Sequence, residues 1–175
     1  GRLLHGARAS KWHSEAFDAF CEHQRPRHGQ RLRELPAALH YRQPRQPVAV
    51  ALQPLYPGIT AGQLRGVLGS GVAALLLECY GCGTGPADDP QILAVLREAH
   101  ARGVVLAAIS QCPQGSVQFD LYAAGSGLAA CGLVSGVGMS REAALGKLFS
   151  LLGAGLGQAE VERLFGLDLC GELAG

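Results

Sequence analysis

The sequence predicts an α/β fold: a small parallel sheet of βαβαβ order, preceded by a remnant of another domain and a linker. Three observations carry this. The runs Val48-Ala49-Val50-Ala51-Leu52, Val72–Leu77 and Val104–Ile109 are short and continuously apolar, the pattern of strands buried on both faces. Segments of helical period separate them through short links, which is how right-handed crossovers build a parallel sheet. The pattern starts only at Val48, behind a stretch rich in Pro, Arg, His and Gln.

Taken in order, residues 1–20 read as the end of something larger. The chain opens at Gly1, and its single methionine is Met139. Leu3-Leu4 and a short Ala16/Phe17/Phe20 patch cannot form a core alone. Residues 21–47 carry the signature of a linker, and residues 48–175 read as one α/β domain.

In that domain the first strand is followed by Thr60 and, three residues on, Gln63. This is a capping-box spacing, with Leu64, Val67 and Leu68 at helical period behind it. The second strand runs into Glu78-Cys79-Tyr80-Gly81-Cys82-Gly83-Thr84-Gly85-Pro86, an abrupt glycine turn. Asp89 is then a helix cap with Pro90 at the first helical position. Ile92, Val95, Leu96 and Ala99 make the apolar stripe of that helix and Gly103 ends it. After the third strand come a loop from Ser110 to Leu121 and a tightly packed helix of small residues, Ala123 to Ala130. Ser140 caps a helix expected to turn Leu145, Leu148, Phe149 and Leu152 inward and Lys147 to solvent. A last helix presents Val161, Leu164 and Phe165.

The net charge of +1 argues against a dedicated nucleic-acid binder. Nine of the fifteen Lys and Arg residues nevertheless fall in residues 1–47, with five of the six histidines and four of the fourteen acids. A solvated basic connector explains this. A polyanion-binding tail would need interleaved aromatic stacking platforms, which are lacking. Apolar runs stay far below the roughly 20 residues that span a bilayer, and no charged start followed by an apolar stretch marks a signal peptide. Cys79-Tyr-Gly-Cys82 is a C-x-x-C, a spacing that raises redox or zinc chemistry. A redox pair would open a helix, whereas glycines and a proline intervene. A zinc site would need two further closely spaced ligands, and Cys112, Cys131 and Cys170 stand alone. Reduced thiols without metal are the expectation.

Ligands of open α/β sheets bind where strands meet their following loops, and glycines let the backbone approach them closely. The Tyr80–Pro86 turn is such a place. Cys112, directly after the third strand, suits a ligand or an interface as well as a plain strand-end thiol. His100 ends an amphipathic helix and reads as a surface residue compatible with the helix dipole. The chain has thirteen arginines and two lysines, Lys11 and Lys147. Lysine can transfer protons and arginine cannot, so Lys11 is either a proton-transfer group or a chance occurrence. No G-x-S-x-G, H-E-x-x-H or P-loop is present.

Taken together, these segments resemble the L-asparaginase family, in particular its bacterial cytoplasmic type I branch. Arg8-Ala9-Ser10-Lys11 with Phe17-Asp18-Ala19-Phe20 resembles the family's R-x-[ST]-K…F-D-A-F segment. Tyr56-Pro57-Gly58-Ile59 resembles its Y-P-G-I turn, and Tyr80-Gly81-Cys82-Gly83-Thr84-Gly85-Pro86 its Y-G-x-G-N-x-P loop. Ser110-Gln111-Cys112, Tyr122-Ala123-Ala124-Gly125, Met139-Ser140-x-Glu142-Ala143 and Leu169-x-Gly171-Glu172-Leu173 continue the likeness to the end.

The resemblance implies that residues 1–20 end an N-terminal domain, that 21–47 are the linker, and that 48–175 are the C-terminal asparaginase domain. It implies hydrolysis of L-asparagine to L-aspartate and ammonia, without a cofactor, in a cytoplasmic homotetramer (a dimer of dimers) that binds neither nucleic acid nor membrane. The nucleophilic Thr would lie upstream of Gly1, so this chain alone is expected to be inactive. Lys11 matches the family's catalytic lysine, and Gly83 and Thr84 match the substrate-completing loop. The family carries Asn where Thr84 stands, and Thr lacks the two amide donors. Glu78, Tyr80, Cys112 and Tyr122 fall at interface or regulatory positions. Glu78 takes the place of an Arg that would grip an effector's carboxylate, so the acid is expected to repel it. Two further readings are an asparaginase-like subunit of a tRNA-dependent amidotransferase and a non-catalytic binding or oligomerisation module.

Overall fold

The structure, a computed structural model, describes residues 1, 3–22, 34–40 and 42–173. Strands β1 (Ala9–Lys11) and β2 (Phe20–Glu22) form an antiparallel hairpin with Lys11 opposite Phe20. A four-stranded parallel sheet follows in the order β3 (Val50–Pro54), β4 (Ala74–Cys79), β5 (Val105–Ser110) and β6 (Leu133–Ser135). Leu52 pairs with Leu76, Leu76 with Ala107, and Ala107 with Val134. The three expected strands are present, each starting one or two residues later than the apolar runs. The fourth is new. At three residues, between Gly132 and Gly136, β6 is too short to show a period.

β4 and β5 are buried along their whole length. Alternation sends Leu75, Leu77, Leu106 and Ala108 to one face, against Leu64 and Leu68 of α1 (Ala61–Leu68), Ile92, Val95 and Leu96 of α2 (Pro90–Ala101), and Leu128 of α3 (Ala123–Ala129). Ala74, Leu76, Val105, Ala107 and Ile109 face Leu148 and Leu151 of α4 (Arg141–Gly153) and Val161, Leu164 and Phe165 of α5 (Gln158–Phe165). Each fully buried Leu, Ile or Phe contributes roughly 1.5–3 kcal/mol, so these two apolar layers dominate the stabilisation.

The helix ends follow the sequence signals. Thr60 N–H donates to Gln63 Oε1 (2.9 Å) while Gln63 N–H donates to Thr60 Oγ1 (3.3 Å), a full capping box. Asp89 accepts from the amides of Gln91 and Ile92. Gly103, at φ +94°, donates to the His100 carbonyl and stops α2.

Helix α4 departs from expectation. Its inward residues are Ala144, Lys147, Leu148 and Leu151, whereas Phe149 is 44% exposed and Leu145 and Leu152 are only partly buried. The helix carries apolar residues on nearly every side, so periodicity alone does not fix its rotation. The segment 166–173 fixes it by bringing Glu172 over the helix. Lys147 is buried, not solvated: Nζ lies 2.6 Å from Glu172 Oε1, donates to the Leu167 carbonyl, and sits 5.9 Å from the centre of the Phe165 ring. Burial pulls the Lys147 amine below its ordinary range, opposed by the Glu172 carboxylate. Burial also disfavours the Glu172 charge, but Lys147 and the amides of Cys170 and Leu169 more than offset it and hold that carboxyl at about 2. His100 is likewise no plain surface residue. Its Nε2 is 2.9 Å from Glu162 Oε1 on α5, and its ring covers Gly132, where a Cβ would come within 2.4 Å.

Residues 23–33 and 41 of the expected linker lie outside the described residues. The linker's end packs onto the sheet domain, with Leu39 in the second apolar layer and Gln46 N–H on the Gly153 carbonyl (2.8 Å). Among the described residues no helix is long and apolar enough to cross a membrane.

Replacing Lys147 by Met would strand a buried carboxylate, an expected loss of about 3–5 kcal/mol, measured by urea unfolding at pH 7. The folded Glu172 carboxyl titrates at about 2 against an ordinary value of 4.5, so its contribution is complete above that ordinary value. The stability advantage of the parent over Glu172→Gln should therefore shrink as pH falls from 4.5 towards 2.

Candidate active-site surface at the carboxyl edge of the sheet

A parallel sheet delivers all its carboxyl ends to one edge. Here that edge meets the N-terminus of α4 and the β1–β2 hairpin. A cavity of about 180 Å³ between them is lined chiefly by polar side chains: Ser10 and Lys11 of the hairpin, Glu78, Ser110 and Gln111 at the strand ends, and Ser140, Arg141 and Glu142 at the start of α4.

Glu78 is the last but one residue of β4 and its side chain is 5% exposed. Its carboxylate accepts two hydrogen bonds from Arg141, from Nε at 2.7 Å and from Nη2 at 2.9 Å. This bidentate contact raises the guanidinium above its ordinary range and neutralises a carboxylate that would otherwise be costly to bury. Glu78 is thus not an isolated acid. Its charge is matched by Arg141, a residue that sequence reasoning missed. A signal existed, because an arginine in the first turn of a helix opposes the dipole and calls for a partner.

Gln111 spends both amide donors on backbone, the carbonyls of Leu55 (2.6 Å) and Glu78 (2.7 Å), and so joins the exits of β3 and β4. Ser110 Oγ donates to the Gly81 carbonyl (2.5 Å) and accepts from Cys112 N–H (3.0 Å). Ser10 Oγ donates to Glu142 Oε2 at 2.8 Å. Surrounding protein disfavours the Glu142 charge, but its own amide, the Ser10 and Ser140 hydroxyls and Arg141 outweigh this and keep its carboxyl below the usual range. Lys11 is exposed to solvent at the cavity wall.

The Tyr80–Thr84 turn closes on itself through Tyr80 N–H to Thr84 O (2.9 Å) and Thr84 N–H to Tyr80 O (3.0 Å). The Thr84 hydroxyl donates to the same Tyr80 carbonyl (3.4 Å). Gly83 is buried at φ +110°, and a Cβ there would fall 2.8 Å from Val117 Cγ1. Val117 is held in turn by N–H donation to the Val137 carbonyl (3.0 Å) and by Ser135 Oγ on its own carbonyl (2.9 Å). Val137 adopts φ +52°, an uncommon state for a β-branched residue.

The structure therefore brings Lys11 and Glu78 to one cavity. Gly83, Thr84, Tyr80, Cys112 and Tyr122 are not among its lining residues. Tyr80 is half-buried against the first apolar layer, Cys112 is exposed, and Tyr122 is 59% exposed at the N-cap of α3. Beside Tyr122, Gly85, Ala87, Asp88, Ala123 and Ala124 line a separate open cavity of about 410 Å³. In the C-x-x-C, Cys79 is a packed core thiol pushed up to about 12 by burial, and no disulfide joins it to Cys82.

An open parallel α/β unit whose carboxyl edge holds this polar cluster belongs to a known domain class. Residues 49–165 match the glutaminase/asparaginase C-terminal domain. Over 182 aligned residues the chain is 36% identical to L-asparaginase 1 of Escherichia coli, covering 98% of this chain and 54% of that protein. Over 71% of this chain it is 42% identical to a human 60 kDa lysophospholipase and 31% identical to a glutamyl-tRNA(Gln) amidotransferase component of Pyrococcus horikoshii, covering 22% and 28% of those proteins. The crystal structure of L-asparaginase I from Vibrio cholerae superposes with a TM-score of 0.82 at 32% identity, over 99% of this chain and 55% of that one. The chain belongs to the glutaminase/asparaginase family, with its likeness running to type I L-asparaginases, and it spans about half the length of the Escherichia coli and Vibrio cholerae proteins.

Gly83→Ala should lower stability by about 1–3 kcal/mol, from the φ > 0 strain and the Val117 overlap together. A thermal unfolding midpoint equal to that of the parent would contradict this.

Proposed function

We propose that this chain is the C-terminal part of an L-asparaginase that converts L-asparagine to L-aspartate and ammonia. The observation that carries the reading is the collinear 36% identity over 98% of the chain. It runs through the segment that sets Lys11 in a polar cavity. The proposed division is residues 1–20 as the end of an N-terminal domain, 21–47 as linker and 48–175 as the C-terminal domain. The nucleophilic Thr is supplied by residues outside this chain. Its oxygen attacks the side-chain amide carbon, ammonia leaves with a proton delivered to it, and water then cleaves the acyl ester. Lys11 acts in the proton transfers, a role open to an amine and closed to a guanidinium.

Gly83 and Thr84 complete the substrate pocket in a neighbouring subunit of a homotetramer, in the cytoplasm. Tyr80, Cys112, Tyr122 and the Glu78–Arg141 pair lie at subunit contacts. The exposure of Tyr122 and Cys112 supports the last point. The amidotransferase reading draws on a match at 31% identity that covers 28% of its relative, and the fuller collinear match favours asparagine.

The pure 175-residue chain should release no ammonia from asparagine at an enzyme-like rate; release at such a rate would sink the proposal. In the protein that joins this chain to an upstream catalytic half, Lys11→Ala should lower kcat by roughly 10²–10⁴ with little change in melting temperature, because Lys11 is exposed. Near-normal turnover there would show that Lys11 is not the proton-transfer group.

A further inference from the structure

Lys11 sits on a three-residue strand whose ladder partner is the equally short β2. The hairpin exposes Trp12, Phe17 and Phe20 in this chain, at 67%, 111% and 55%. Lys11 is linked to the sheet edge through a hydrogen bond of its neighbour. The residue before it provides the connection. Strand alternation puts Ser10 on the inner face when Lys11 is outward, and Ser10 is only 7% exposed. Its hydroxyl donates to Glu142 Oε2 at 2.8 Å, a hydrogen bond spanning 132 residues that joins β1 to α4.

Glu142 is well placed to hold that hydroxyl. It lies in the first turn of a 13-residue helix capped by Ser140, where a carboxylate suits the dipole. An ionised acceptor also makes the stronger hydrogen bond. α4 itself is anchored to the sheet through Ala144, Leu148 and Leu151, and Arg141 ties its first residue to Glu78 on β4. The route from the rigid sheet to Lys11 is therefore β4, Arg141, Glu142, Ser10.

We infer that Ser10 and Glu142 are positioning residues that hold Lys11 at the carboxyl-edge cavity. The inference rests on the reading of Lys11 as a proton-transfer group. Neither side chain need touch substrate. Both act through the Lys11 backbone, and a displacement of about 1 Å at a reacting group can cost on the order of 10²-fold in rate.

The test is made in the protein that carries the upstream half together with this chain, with kcat normalised to folded protein. Ser10→Ala and Glu142→Ala should each lower kcat by roughly 10–100-fold and leave KM within about twofold, since the loss is of alignment and not of binding. Ser10→Thr and Glu142→Gln, which keep a donor and an acceptor, should recover most of the rate. The double alanine variant should be no worse than the worse single, because both cut one connection. Single variants within twofold of the parent kcat would overturn the inference, and so would losses that multiply in the double variant. If Glu142→Ala fails to fold, Ser10→Ala, which loses one hydroxyl only, decides the matter. Lys11→Ala is measured alongside. A loss there with normal Ser10→Ala turnover overturns the positioning role alone, whereas normal turnover in Lys11→Ala overturns the reading of Lys11 and this inference with it.

Discussion

Burying both faces of the central sheet is the constraint from which the other features follow. With β4 and β5 inaccessible along their length, a polar side chain has almost nowhere to stand except at the strand ends. That confines Glu78, Ser110 and Gln111 to one edge, next to the start of α4. Their hydrogen-bonding needs must then be met locally. Gln111 meets them for the β3 and β4 exits, Ser110 for the glycine turn, and Arg141 for Glu78. The polar edge is thus a by-product of an apolar middle, ordered by contacts within the chain.

Two different kinds of rigidity meet there. The glycine turn is held by its own hydrogen bonds and Ser110, and also by steric fit: Gly83 leaves room for Val117, which hangs from Val137 and Ser135. The hairpin meets α4 through a polar contact, Ser10 on Glu142. Packing is non-directional and tolerates small shifts, whereas a hydrogen bond fixes a distance and an angle. Shape and direction together set the glycine turn, and a directed contact joins the hairpin to α4.

Most of the fold is legible in the chain. Thr60/Gln63, Asp89-Pro90, Gly103 and Ser140 fix helix ends through local chemistry, and that chemistry survives in the structure. Continuous apolar runs mark β3, β4 and β5 because strands covered on both sides have no polar face to show. Where tertiary context decides, the chain is ambiguous. β6 is three residues of edge strand with no period, and α4 carries apolar residues on nearly every side, so its rotation depends on Glu172, twenty-five residues beyond Lys147. The polar edge is half legible. Lys11 stands out in an arginine-rich chain, but the partnership of Glu78 with Arg141 spans 63 residues, and no local pattern reveals it.

The burial of Lys147 has a consequence for chemistry done on the protein from outside. The chain has only two lysines, and one of them is enclosed with its amine committed to Glu172 and the Leu167 carbonyl. Acylating or alkylating reagents aimed at primary side-chain amines therefore meet a single accessible target in the folded chain, Lys11. A fluorophore, crosslinker or isotopic methyl group attached under native conditions would report from the mouth of the carboxyl-edge cavity, without any engineered cysteine and against thirteen arginines that do not react.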